Sequence, residues 1–318
     1  MASRRRLGKK LIKSLLPILL VLLAALVVAL GLIVRGITRP PRRPYLVTPK
    51  AFSQFSGPAL KVADQSWRNR DNTPARGWLL RGTEGAPAVV LLHHYGADRS
   101  WLFNLGVKIN EATNFTILWP DLRGHGLTPA VQWTSFGTVE GEDVMAALDF
   151  LRTLKTDTGN RLVADNVGLF GVELGAYASL RAARQDPSVR VLALDSVPSN
   201  PDDLVAETVK NDLGMNMPLL SSLATTAVRI YFLGRYENTS ACELAASLPA
   251  RRVLLLSGPD ARELRESTID LARCFENPAS VEVKTDQRLT AFNLPSATGQ
   301  DGEGYDRQVI EFLDKNLR

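Results

Sequence analysis

The stretch Gly171-Val172-Glu173-Leu174-Gly175 has the pattern of a sharp turn, and the expected architecture follows from it. An apolar run, 167–170, precedes it, and residues 176–183 after it are typical of a helix. Two glycines four positions apart allow a tight, strained turn between a strand and a helix. Such a turn lifts the central side chain, that of Glu173, to the end of a sheet. Position 173 is therefore the first candidate for a functional residue.

Apolar runs and helical patterns alternate on both sides of this turn. The predicted strands are 60–62, 76–80, 88–93, 115–119, 167–170, 189–194, 253–256 and 281–284, and the predicted helices are 139–154, 174–184, 261–275 and 305–317. This alternation predicts a mostly parallel sheet flanked by helices, with ligands at the carboxyl ends of the strands. Residues 200–246 interrupt the alternation and are expected to form a helical cap over that edge.

Four landmarks in order resemble those of α/β-hydrolase-fold proteins of the serine-peptidase or lysophospholipase-like type. They are the loop 90–99 (VLLHHYGADR), the turn 121–126 (DLRGHG), the elbow 171–175 (GVELG) and the loop 257–260 (SGPD). The resemblance covers residues 59–318 and implies the α/β-hydrolase fold. It also implies a nucleophile position at Glu173, a triad acid at Asp260, and oxyanion-hole N–H groups at Tyr95 and Leu174.

The catalytic positions depart from this family's pattern. Glu173 stands where the family has serine, and the stretch 294–302, where the catalytic histidine is expected, contains none. The three histidines of the chain, His93, His94 and His125, all precede the elbow. His94 also replaces a glycine of the oxyanion loop. Because the triad needs both a nucleophile and a histidine that moves its proton, the sequence favours an inactive protein over an active enzyme. Such a protein would act by binding a small molecule or a protein partner.

A second hypothesis keeps catalysis with different groups. In the family that the chain resembles, the loops corresponding to 90–99 and 171–175 both line the oxyanion hole. His94 and Glu173 are therefore expected to face one another. The pair could activate water, or join Asp260 in holding a metal ion, in a hydrolase of an ester, amide or halide. Glu173 could instead be a carboxylate nucleophile, as in the hydrolase-fold dehalogenases, which the elbow resembles. A structural ion pair that closes the pocket is the other interpretation. No cofactor and no metal is assigned.

The remaining candidates have structural interpretations. His93 and His125 are interpreted as packing and loop-geometry residues, and Asp195 as a loop residue rather than the triad acid. The apolar side chains of the predicted cap either cover a ligand cavity or pack as a helical core. They are Leu213, Met215, Met217, Leu219 and Leu220.

The N-terminal region is typical of a membrane anchor. Residues 15–34 carry no charge, and twenty helical residues span about 30 Å, the thickness of a hydrocarbon core. The basic flanks favour a cytoplasmic N-terminus. We therefore expect a basic cytoplasmic tail (1–13), a single-pass signal anchor in the lipid bilayer (14–35), an extended stalk (36–58) and an extracytoplasmic domain (59–318). A cleaved signal peptide is the alternative, but its apolar region is usually only roughly 7–15 residues long.

The charge of the chain is unevenly distributed. Residues 1–50 hold eleven of the 38 Lys and Arg residues and none of the 33 Asp and Glu residues, which leaves the rest with a net charge of −6. An acidic body argues against a nucleic-acid partner, because such binding needs a basic patch on the folded domain. The two cysteines, Cys242 and Cys274, form either one disulfide or two buried thiols, and their spacing does not decide between these.

Overall fold

An eight-stranded mixed sheet forms the centre of the computed structural model, in the order β1-β2-β4-β3-β5-β6-β7-β8. The strands are β1 (Val62–Arg68), β2 (Pro74–Leu80), β3 (Ala86–Leu92), β4 (Thr116–Pro120), β5 (Val163–Val172), β6 (Val189–Asp195), β7 (Arg252–Leu256) and β8 (Val281–Lys284). β2 pairs antiparallel with β1 and β4, and the other neighbours are parallel.

The structure describes residues 2–56, 61–214, 217–248, 251–293 and 300–318.

Ten α-helices accompany the sheet within the described residues. They are α1 (Ala2–Ile37), α2 (Pro49–Ser56), α3 (Phe103–Thr113), α4 (Glu140–Thr153), α5 (Leu174–Gln185), α6 (Pro201–Leu213), α7 (Pro218–Phe232), α8 (Ala241–Ala246), α9 (Glu263–Leu271) and α10 (Gln300–Leu317). The chain divides into two compact units: a smaller one of residues up to 37 with 205–234, and a larger one of residues 38–204 with 235–318.

The central strands are apolar because both faces of the sheet are covered. All five residues of β4 are buried, as are the last five residues of β3 and the last four of β7. The register aligns the carboxyl ends of the parallel strands. Leu92 pairs with Gly171, and Asp195 pairs with both Val172 and Leu256. The elbow therefore lies in the middle of the edge where ligands bind in sheets of this kind.

The predicted fold class is confirmed: a mixed sheet flanked by helices, preceded by one long apolar helix. Of the strand predicted at 60–62, position 60 lies outside the described residues; β1 begins at Val62 and continues to Arg68 as an edge strand without a continuous apolar run. Helix α3 was not predicted, and α10 begins at Gln300, five residues before the predicted start. The cap segment is helical, forming α6, α7 and α8, but residues 205–234 group with α1 instead of with the sheet. Its placement over the sheet edge stays a prediction.

The segment predicted as an extended stalk, 36–58, packs on the larger unit from residue 38 onward. The Thr134 N–H donates to the Thr38 carbonyl over 2.8 Å, and the Leu46 N–H donates to the Ser100 hydroxyl over 2.9 Å. Residues 49–56 form α2, and Phe52 meets the core edge-on. After the prolines 40, 41 and 44, the side chains of Tyr45, Val47 and Phe52 pack against the core, whereas Leu46 stays exposed. Positions 57 and 58 of the predicted stalk lie outside the described residues.

Helix α1 includes a stretch, Leu15–Ile37, that is long and apolar enough to cross a membrane. At about 1.5 Å per residue, its 23 residues span about 34 Å, slightly more than a hydrocarbon core. Within the larger unit, Cys242 of α8 and Cys274 form a disulfide, with their Cα atoms 5.1 Å apart. The question that the spacing of the cysteines left open is thereby answered.

Candidate functional site

The elbow has the strained backbone that its sequence predicts. Glu173 joins β5 to α5 with φ 49° and ψ −104°, a conformation that non-glycine residues rarely adopt. A Cβ at Gly171 would lie 2.4 Å from the Gly175 carbonyl oxygen, and one at Gly175 would lie 2.3 Å from the Leu92 carbonyl oxygen. Only glycine fits either position. The Glu173 N–H donates a hydrogen bond to the Asp195 carbonyl over 2.9 Å, and this bond stabilises the strained conformation.

The Glu173 carboxylate accepts a hydrogen bond from the backbone N–H of Tyr95. Its Oε2 lies 2.7 Å from that nitrogen, and the residue is 8% exposed. The resemblance assigns this N–H to the oxyanion hole, together with that of Leu174, which follows directly in α5 and is fully buried. A side-chain oxygen of the protein itself therefore occupies the N–H that the resemblance assigns to the oxyanion hole.

His94 does not pair with Glu173. Its Nδ1 lies 2.7 Å from the Tyr95 carbonyl oxygen, and its ring packs 4.9 Å from the rings of both Trp101 and Phe292. Its Nε2 is buried without a hydrogen-bond partner among the described residues. Burial lowers the pKa of His94 to about 4, so the ring is neutral at pH 7. The expected Glu173–His94 pair is wrong, because the aromatic neighbours and the Tyr95 carbonyl hold the ring elsewhere.

Asp260 contacts neither of the other two predicted site residues. It is exposed in the turn after β7, where its Oδ2 accepts from the Thr290 hydroxyl over 2.7 Å and from the Asn293 amide over 2.6 Å. No group of three or more His, Cys, Asp or Glu side chains in the described ranges could hold a metal ion, so the considered His94–Glu173–Asp260 metal site is not formed. Residues 294–299, most of the stretch expected to carry the catalytic histidine, lie outside those ranges.

A buried pair that the sequence did not reveal lies beside the elbow. Asp195 ends β6 with no exposed surface, and its Oδ2 accepts from the Tyr305 hydroxyl over 2.5 Å and from the Ala291 N–H over 2.8 Å. Its Oδ1 accepts from the Ser196 hydroxyl over 2.7 Å. Burial raises the pKa of Asp195 to about 6. In the sequence, the position of an aspartate directly after an apolar run was the only sign that Asp195 is buried. Its partner Tyr305, in α10, could not be predicted from the sequence. The structural interpretation of Asp195 agrees with this closed network.

His93 and His125 lie buried behind the oxyanion loop. His93 accepts from the Leu122 N–H at Nε2 over 3.1 Å, so its Nδ1 carries the proton and donates to the His94 carbonyl over 2.8 Å. The Nδ1 of His125 lies 2.9 Å from the Arg123 carbonyl oxygen. Burial lowers the pKa of both rings to about 3, and both therefore stay neutral. These contacts tie the turn 121–126 to the loop 90–99, in agreement with a structural role.

A small polar cavity lies on the side of the turn 121–126. Its volume is about 40 Å³, enough for about three water molecules. Arg99, Asp121, Arg123 and His125 contribute to its wall, whereas Glu173 and Asp260 do not. Arg123 is already paired with Asp143, and Arg99 with Asp121 over 3.3 Å. The charges around the cavity are therefore compensated within the protein.

Comparison with known proteins identifies the fold. No family model and no curated protein matches the sequence. An esterase from Pyrococcus furiosus superposes with a TM-score of 0.66 at 20% identity, over 88% of this chain and 98% of its own. A carboxyl esterase from Tuber melanosporum superposes with a TM-score of 0.57 at 15% identity, over 83% of this chain and 90% of its own. A dienelactone hydrolase from Anabaena variabilis superposes with a TM-score of 0.56 at 14% identity, over 81% of this chain and 99% of its own. The chain has the α/β-hydrolase fold.

Proposed function

We propose that this protein is a membrane-anchored member of the α/β-hydrolase fold that has lost acyl-transfer activity and acts by binding a ligand or a protein partner. The hydrogen bond from the Tyr95 N–H to the Glu173 carboxylate carries the proposal. An oxyanion hole accelerates acyl transfer because its N–H groups meet negative charge that develops only in the transition state. A glutamate oxygen held at this N–H occupies the donor that a developing negative oxygen would need.

The missing proton carrier supports the same conclusion. No histidine follows position 125 in the sequence, and the three that exist are held by backbone groups within or beside the loops 90–99 and 121–126. In a serine protease, removal of nucleophile and base together costs about six orders of magnitude in kcat. A catalytic alternative built on Glu173, His94 and Asp260 would need these groups to meet, and the observed contacts do not favour it.

Membrane attachment is the second part of the proposal. The apolar length of α1 and its basic flanks support a retained single-pass anchor with a cytoplasmic N-terminus and the larger unit on the other side. The disulfide between Cys242 and Cys274 is consistent with this topology, because disulfides persist in oxidising compartments outside the cytoplasm.

Ester turnover by the full chain tests the loss of catalysis. The purified protein in detergent is assayed with p-nitrophenyl esters and with a serine-directed fluorophosphonate probe, beside Glu173→Ser and Glu173→Gln. We expect no turnover above the buffer rate in any of the three, since the serine variant still lacks a base. Turnover by the wild type that Glu173→Gln abolishes would establish the catalytic alternative. Turnover gained by Glu173→Ser would show that a histidine can reach the elbow.

A further inference from the structure

The exposed apolar surface of the protein outside α1 is concentrated in one segment, residues 217–233. Eight large apolar residues are exposed outside α1 among the described residues, and five of them lie in this segment. They are Met217, Leu219, Ile230, Tyr231 and Leu233. The segment carries a single charged residue, Arg229. Scattered apolar residues on a surface need no explanation, but a concentration of this kind marks a site of interaction.

Helix α7 has two apolar stripes with different surroundings. Ala224, Val228 and Phe232, spaced four residues apart, are buried and form its inner stripe. Leu219, Leu223 and Ile230 follow the same helical period on another face, with Leu219 74% and Ile230 66% exposed. A helix that is apolar on more than one face needs apolar surroundings on each of them. The inner stripe is buried within the protein. In the outer stripe Leu223 is half-buried, whereas Leu219 and Ile230 have no such cover.

The position of α7 beside α1 indicates what covers the outer stripe. Both helices belong to the smaller unit, and they are in contact. Residues 15–29 of α1 are exposed throughout, and the covered side chains begin with Leu30, Ile33, Val34 and Ile37, so the contact lies in its last two turns. Because the apolar stretch Leu15–Ile37 of α1 exceeds the thickness of a hydrocarbon core by only about 4 Å, and these turns are its last two, they lie at one boundary of the bilayer.

We propose that α7 is an interfacial membrane helix that inserts its outer stripe into the lipid next to the end of the anchor. The proposal rests on the membrane attachment proposed above. A helix of this kind lies in the plane of the interface with its apolar side chains about 5–10 Å below the headgroups. Tyr231, which is half-exposed near the end of α7, suits this depth, because its ring is apolar and its hydroxyl is polar.

Spin labels on the full-length protein test the proposal. Single cysteines replace Leu219 and Ile230 on the outer stripe, Leu22 in the anchor, and Val283 on β8 as an exposed apolar control outside the smaller unit. The native cysteines form a disulfide and leave the added thiol as the one to be labelled. The protein is reconstituted in phosphatidylcholine nanodiscs with one copy per disc. The collision rates of each label with oxygen, which enters lipid, and with a water-soluble nickel chelate are then measured.

Each outcome of this experiment has a distinct meaning. We expect labels at 219 and 230 to show an oxygen-to-nickel ratio several-fold above that at 283, and the label at 22 to show the highest ratio. A ratio at 219 and 230 equal to that at 283 would place α7 in water and overturn the proposal. Low rates with both reagents would mean that protein covers the stripe, and would equally overturn it. A low ratio at 22 would refute the anchor itself, and with it the proposed attachment. Circular dichroism of each variant shows that it is folded.

Discussion

The buried carboxyl of Asp195 links the stability of the sheet edge to pH. Its folded-state pKa is about 6, against an ordinary value of 3.8, and burial is the largest cause. The charged form is penalised in the folded protein, so the group favours folding most when it is protonated. Its stabilising contribution is fully present below pH 3.8 and is lost as the pH rises through 6. The shift of about two pKa units corresponds to about 3 kcal/mol between these limits.

The substitution Asp195→Asn removes this titration and keeps the shape of the side chain. The amide oxygen can still accept from the Tyr305 hydroxyl and the Ala291 N–H, while the amide nitrogen can donate to the Ser196 hydroxyl, which rotates to accept. The variant is therefore expected to fold. Between pH 7.5 and pH 4.5, the wild type should gain about 2 kcal/mol of stability relative to the variant, because the window ends before the titration is complete.

Thermal unfolding measures the effect. The full chain contains five tryptophans, and their fluorescence can follow unfolding in detergent at both pH values. The difference in Tm between wild type and Asp195→Asn should change by about 3–4 °C between pH 7.5 and 4.5, since the unfolding entropy of a chain of this length is about 0.6 kcal/mol/K. Asp157→Asn, the same chemical change at an exposed side chain, measures the effect of net charge alone. An equal Tm difference at both pH values would refute a raised pKa for Asp195.

Two further predictions concern the backbone and the disulfide. Gly175→Ala places a Cβ 2.3 Å from the Leu92 carbonyl oxygen and should abolish folded protein. In the control Gly304→Ala, in α10, the added Cβ meets no atom within 4 Å, and the substitution should stabilise the folded protein by about 0.5–1 kcal/mol. Comparison of their expression and thermal unfolding checks both, and a folded Gly175→Ala would contradict the close approach at the elbow. Reduction of the disulfide between Cys242 and Cys274, 32 residues apart, should cost about 3–4 kcal/mol, measured as a lower Tm with dithiothreitol. An unchanged Tm after confirmed reduction would contradict this stabilising effect of the disulfide.

The sequence predicted the elbow well because its geometry depends on local residues. Two glycines between an apolar strand and a helix leave few backbone conformations, and the structure has the strained turn that they allow. The alternation of apolar runs and helical patterns likewise predicted a mostly parallel sheet flanked by helices. These features are determined by chain neighbours and by the apolar pattern, which a single sequence contains.

The contacts between side chains could not be predicted in the same way. His94 and Glu173 were correctly placed on neighbouring loops, but the ring of His94 is fixed by Phe292, which follows almost two hundred residues later. The partner of Asp195 is Tyr305, from the last helix. Both contacts depend on rotamers and on packing between distant segments. The docked segment 38–56 was misjudged for a similar reason, since its proline content indicates an extended backbone but not what that backbone packs against.

The glutamate at the elbow affects one physical quantity, the availability of the Tyr95 N–H that the resemblance assigns to an oxyanion hole. Catalysis requires this region to be vacant in the resting state, so that its donors are available when negative charge develops. In this protein, the Glu173 carboxylate uses the Tyr95 N–H in the resting state, and the hydrogen bond ties the loop after β3 to the start of α5. The same donor then contributes to holding the folded structure. An elbow whose polar groups are satisfied internally is suited to maintaining the shape of a binding surface, and this is the role that we propose for it.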